Sequence, residues 1–185
     1  NLAVREDRLT RNPLQSVPAF KDRKPRRDVE WSPDDFARFI AQARGHRLYA
    51  AFYLALSTGM RHGEVLGVRW QDIAGHELTV AQTLVDVGGV MTLSAPKTAS
   101  GTRVISLDDE TVEVLQRHRE RQTTEARVAG PAWGPQAPEF AGLVFTNVTG
   151  GHLQSGAFDE AWRTLRKAAG VPAITFHDLR HLHVT

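Results

Sequence analysis

Four side chains with charge or a titratable ring each stand just past a break in the residue pattern. They are Arg61 in "TGMRHGE", Lys97 in "APKTASG", and His177 and Arg180 in "TFHDLRHLHVT". Loops at such breaks can deliver side chains to one shared cleft. His177 and Arg180 are three apart, so on a helix they share a face. The set holds two guanidiniums, an ammonium and an imidazole, with no carboxylate pair for a metal; the chain has no cysteine, hence no thiol. Guanidinium forks bind phosphoryl oxygens in pairs and stay charged at any accessible pH. An imidazole passes protons near neutrality, and a lysine can protonate a departing oxygen. Together they suit a phosphodiester attacked without a metal, through positioning and electrostatics.

Each residue also has a plainer reading. Arg61 and Glu64, at i and i+3, can form an ordinary surface ion pair. A lysine in a polar turn such as that around Lys97 is commonly just solvated. His177 and His181 are spaced as two metal ligands on a helix, but Asp178 stands where a zinc protease has glutamate, and His183 falls off that face.

These residues need elements to hold them, and 185 residues suffice for one domain with a core and a fragment of another. The formal net charge of +2 is a weak argument for nucleic acid, so the local placement of charge matters more. No apolar run is long enough to span a membrane, and "NLAVREDRLTR" lacks a signal-peptide core. Without cysteine, disulfides, thiolate nucleophiles and cysteine zinc sites are excluded.

Residues 1–13 read as the end of a helix closed by Asn12 and Pro13. Residues 14–31 read as an extended linker; Lys21, Arg23, Lys24, Arg26 and Arg27 crowd into seven residues, opposed within them only by Asp22. This is either a solvated tether or a strap that tracks phosphates. The main domain, 32–185, opens with Ser32 as N-cap, Pro33 in the first turn, and Asp34 and Asp35 on the helix dipole. Phe36, Phe39, Ile40 and Ala43 form its apolar stripe, and Gly45 ends it. Further helices are expected over 47–58, from about Arg61, and over 109–126. Another starts at Ser155 as its cap and stops at Gly170. "ELTVAQTLV", "GVMTLS" and "TRVISL" read as three antiparallel strands, with "PKTASG" turning between the last two. The fold class is mainly α with a small antiparallel β-sheet (α+β). Trp31, Trp70, Trp133 and Trp162 read as packing residues.

In this order and spacing, the motifs resemble those of the tyrosine recombinases, the integrases of phages and mobile elements. "ALSTGMRHGEVLGVRWQDI" is similar to the family's first-arginine motif, with Arg61 as that arginine and Glu64 at its supporting acidic position. "PKTASGTRVISL" resembles the hairpin that carries the family's lysine, here Lys97. "TFHDLRHLHVT" resembles the H-x-x-R-H box, giving His177 and Arg180, with His181 just after as a supporting residue. Leu182 departs from the small or hydroxyl residue usual there. "NLAVREDRLTRNP" resembles the end of the family's core-binding domain.

The resemblance implies a site-specific DNA recombinase that cuts and rejoins DNA through a 3′-phosphotyrosyl link, with no cofactor. It implies double-stranded DNA as partner, met also by the linker cations, Thr98 and Arg103, and a tetramer on paired DNA sites. It implies a cytoplasmic, DNA-associated place in a bacterium, with no membrane. The family's nucleophilic tyrosine lies a few dozen residues past the second arginine, whereas here only five residues follow Arg180. The only tyrosines, Tyr49 and Tyr53, fall within an upstream helix. The chain is therefore expected to lack its nucleophile and only to bind DNA. The alternatives are a type IB topoisomerase-like enzyme and a catalytically silent DNA-binding regulator.

Overall fold

The computed structural model describes residues 30–95, 102–135 and 137–178, with His177 described through its backbone only. In chain order its regular elements are α1 (Pro33–Ala43), α2 (Tyr49–Thr58), α3 (His62–Leu66), β1 (Ile73–Ala74), β2 (Glu77–Val80), β3 (Thr83–Val87), β4 (Val90–Ser94), β5 (Arg103–Ser106), α4 (Asp109–Ala129) and α5 (Ser155–Ala168). The result is a mainly helical domain with small antiparallel sheets, as the residue pattern predicts. No helix among the described residues is long and apolar enough to cross a membrane.

The α1 start is closed by a reciprocal pair of bonds. The Asp35 N–H donates to Ser32 Oγ (3.2 Å), and the Ser32 N–H donates to Asp35 Oδ2 (2.9 Å). Asp108 caps α4 with one such bond, accepting from the Thr111 N–H at 2.7 Å. The start of α5 differs from expectation. Gln154 is the capping residue and Ser155 already lies inside the helix, with no side-chain bond closing that end.

The β region also differs in detail. Instead of one three-stranded sheet there are two pieces, β1-β2-β5 and the β3–β4 hairpin. The stretch "ELTVAQTLV" breaks between Val80 and Thr83 and serves both. The reason lies in α3. The Gln82 amide donates to the Gly67 carbonyl at 2.7 Å, so the chain turns there to pack on that helix. Gly63 lets the two backbones meet, since a Cβ on it would stand 2.6 Å from the Leu84 carbonyl oxygen.

The core is aromatic. Trp162 packs against Phe39 (centroids 4.6 Å apart), Phe52 (5.8 Å) and Trp31 (5.4 Å, stacked). Trp31 donates its indole N–H to the Pro172 carbonyl (3.1 Å), and Trp162 donates its own to the Ile174 carbonyl (3.2 Å). These two bonds tie the segment after α5 onto the core. Phe176 is thereby set against Phe158 (5.0 Å) and Trp162 (5.5 Å). The buried run Leu143–Thr146 threads between α4 and the end of α3, and its Val144 N–H donates to the Val68 carbonyl at 2.9 Å.

Candidate functional site

Helix α2 ends because Gly59 takes a left-handed conformation (φ 63°), which few other residues adopt without strain. The chain then runs extended through Arg61 (φ −68°, ψ 152°), the residue that opens α3. Its guanidinium is 53% exposed, whereas the Glu64 side chain one turn on is only 8% exposed. Glu64 accepts from the Arg61 N–H (2.8 Å) and from one Arg61 guanidinium nitrogen (2.8 Å). The i,i+3 ion pair therefore forms, and it does so with the arginine still open to solvent.

Glu64 has a second partner. Arg103, at the start of β5, places both terminal nitrogens on the same carboxylate, at 3.0 and 2.7 Å. Burial alone would raise the Glu64 carboxyl; the Arg103 fork and the Arg61 donors overcome this and hold it down to about 2. The same fork raises Arg103. Arg103, for which the resemblance implies a DNA contact, has its fork on Glu64.

His177 lies in a short 3-10 turn, Phe176–Asp178. Asp178 closes that turn by accepting from the Thr175 N–H and hydroxyl, both at 2.7 Å. Between this turn and Arg61 stands His62, on which the residue pattern gave no reading. Its ring stacks on Phe158 (4.8 Å) and touches Phe176 (5.6 Å). Burial lowers its pKa, against the opposing pull of Asp159. The neighbour of Arg61 and the neighbour of His177 are thus packed together, which brings the two motifs to one place. A histidine directly after the arginine was visible as a residue type, but its packing partners come from distant segments.

Ser94 ends β4, and Arg103, whose fork lies on Glu64, opens β5; Lys97 and Thr98 fall between them in sequence. Lys97, Thr98, Arg180, His181, Lys21, Arg23, Lys24, Arg26 and Arg27 themselves lie outside the described residues. The tyrosines are placed as core-margin residues. Tyr49 and Tyr53 pack on each other at 5.8 Å and against the core. The Tyr53 hydroxyl is pushed up, first by burial and then by Glu110, the reverse of an activated nucleophile. The four tryptophans behave as packing residues too; Trp70 carries the Arg119 guanidinium over its face at 5.1 Å.

Residues 32–185 match the phage integrase family. Over 201 aligned residues the chain is 31% identical to a tyrosine recombinase XerC-like protein of Caldanaerobacter subterraneus subsp. tengcongensis, covering 100% of this chain and 51% of that protein. Its fold is similar to that of the Tn1549 transposon integrase in complex with a circular intermediate DNA, with a TM-score of 0.76 at 20% identity, covering 98% of this chain and 60% of that one. A lambda integrase tetramer bound to a Holliday junction gives a TM-score of 0.56 at 21% identity, over 98% of this chain and 46% of that one. At such identities the structural likeness speaks to the fold alone. The chain spans about half the length of the curated relatives it matches. With the family match running from α1 to the last residue, the chain belongs to the phage integrase family, as a catalytic domain of the tyrosine recombinase type.

Proposed function

We propose that this chain is the phosphate-activating part of a site-specific DNA recombinase that cuts and rejoins duplex DNA through a 3′-phosphotyrosyl intermediate. The observation that carries the reading is Arg61. Its guanidinium is paired with a buried carboxylate and is more than half exposed, and the next residue, His62, packs on Phe176, the residue before His177.

In the reaction a tyrosine hydroxyl, supplied by residues other than these 185, attacks the scissile phosphorus. The P–O5′ bond breaks as the P–O(tyrosine) bond forms. Arg61 and Arg180 stabilise the charge on the non-bridging oxygens. His177 assists proton transfer, and Lys97 gives its proton to the departing 5′-oxygen. The freed 5′-hydroxyl, or that of another strand, reverses the step, so the covalent link conserves the phosphodiester energy. Residues 1–13 belong to the core-binding domain, 14–31 form a linker whose cations lie along phosphates, and 32–185 form the catalytic domain. The protein that carries the chain acts on bacterial DNA as a tetramer on paired sites, an arrangement supported by the lambda integrase assembly.

The experiment is a denaturing gel of the full-length protein with a labelled, nicked DNA substrate in excess chelator. A covalent adduct is expected there, and none from the 185-residue chain. The short chain should still bind duplex DNA, with log affinity falling against log salt at a slope of about −0.9 per phosphate neutralised. An adduct formed by the short chain, or cleavage that requires magnesium, overturns the reading.

A further inference from the structure

We propose that Arg103 is a positioning residue that keeps Arg61 available to a phosphate by occupying Glu64. The inference rests on the reading of Arg61 as a phosphate clamp. A carboxylate offers about four acceptor positions, and all of those on Glu64 are taken. The Arg61 N–H and one Arg61 guanidinium nitrogen use two, and the Arg103 fork uses the other two. Among the described residues Arg61 thus spends one of its guanidinium nitrogens on the protein, and its side chain stays 53% exposed.

Charge supports the same conclusion. One buried carboxylate between two guanidiniums leaves the corner net positive. Without Arg103, Glu64 would have two vacant acceptor positions and a full charge to set against Arg61 alone. The pair would close into a two-pronged, neutral bridge, turning Arg61 inward and away from an anion. Arg103 holds its place through the backbone. It is paired with Val80 across the β2–β5 ladder. Helix α3 is fixed against β3 by the close approach at Gly63 and the Gln82–Gly67 bond. The reach from β5 to Glu64 is therefore set by packed elements. The side chains grade accordingly, with Glu64 8%, Arg103 31% and Arg61 53% exposed.

The test uses the full-length protein and single-turnover cleavage of a labelled suicide substrate, with thermal unfolding recorded for every variant. R103A is expected to slow cleavage roughly tenfold, since Arg61 is misdirected and not removed. R103K should fall between R103A and the parent, because lysine keeps the charge without the fork. The decisive variant is the double substitution R103A/E64Q. Glutamine keeps an oxygen for the Arg61 N–H and removes the surplus charge, so the double variant should cleave several-fold faster than R103A alone. A purely structural Arg103 predicts a double variant no faster than R103A, and that result overturns the proposal. If R103A does not fold, R103K against R103K/E64Q makes the same comparison with the same outcomes. R61A is the control that separates the two claims. Undiminished cleavage by R61A defeats the phosphate-clamp reading itself. Loss of cleavage in R61A without recovery in the double variant defeats only the role of Arg103.

Discussion

Arg61 and Arg47 show how differently one residue type is used in this molecule. Arg47 is 21% exposed and spends its donors on protein. It forks onto Glu125 of α4 at 2.9 and 2.6 Å, and it donates to the Thr146 and Asn147 carbonyls. Around it Arg121 donates to the Arg47 carbonyl (2.7 Å), and Gln122 donates to the Leu143 and Val144 carbonyls. That corner clamps α4 to the Leu143–Thr146 run. Among the described residues Arg61 has a single guanidinium bond, and it is more than half exposed. Both arginines pair with a glutamate, so the ion pair itself does not tell them apart. What separates a brace from a site is how many donors the fold leaves unused.

The sharpest way to break this contrast is to remove each arginine in the full-length protein. R61A is expected to slow cleavage by on the order of a hundredfold or more, the usual cost of a lost transition-state donor, with little change in unfolding. R47A should do the reverse. It strands the Glu125 carboxylate and two carbonyls and is expected to cost about 3 kcal/mol of stability. The surviving folded enzyme should cleave within a few-fold of the parent. Denaturant unfolding and single-turnover cleavage on both variants check the pair, and a slow-cleaving but stable R47A would erase the distinction.

The clamped corner can be sharpened by pH. His118 is 3% exposed and has one ring nitrogen 2.9 Å from the Val144 carbonyl. Burial first, then Arg121 and Arg47, lower its pKa to about 4, against the Val144 carbonyl and Glu125. The folded value lies below the unfolded one, so the unfolded chain binds the proton more readily. The contribution of His118 is therefore full above about pH 6.5 and declines as pH falls toward 4. Over that window it should cost about 2 to 3 kcal/mol. Unfolding measured across that range should show the slope, and H118F should flatten it. An unchanged slope in H118F would assign the effect elsewhere.

The smallest effect belongs to the start of α1. S32A removes the α1 cap and is expected to cost about 1 kcal/mol with cleavage unchanged. A loss of cleavage beyond what lower stability explains would show that the α1 start reaches the site.

Much of the chain is legible residue by residue. The Ser32 cap, the apolar stripe of α1 and the span of α2 are set by neighbours within a turn or two, and such signals act locally. Arg61 and Glu64 were readable together for the same reason, since three residues on a helix are one contact. The division of the strands between two sheets was not readable, because Gln82 turns the chain only in answer to a carbonyl on α3. Nor were the roles of Arg103 and His62. Arg103 meets Glu64 across 39 residues of chain, and His62 meets Phe176 only once α5 and the aromatic core are in place. By itself the sequence determined the helices, the motif order and the chemistry those motifs imply. Only the tertiary structure decided which donors on each arginine are used up by the fold, because that depends on acceptors brought from distant segments by packing.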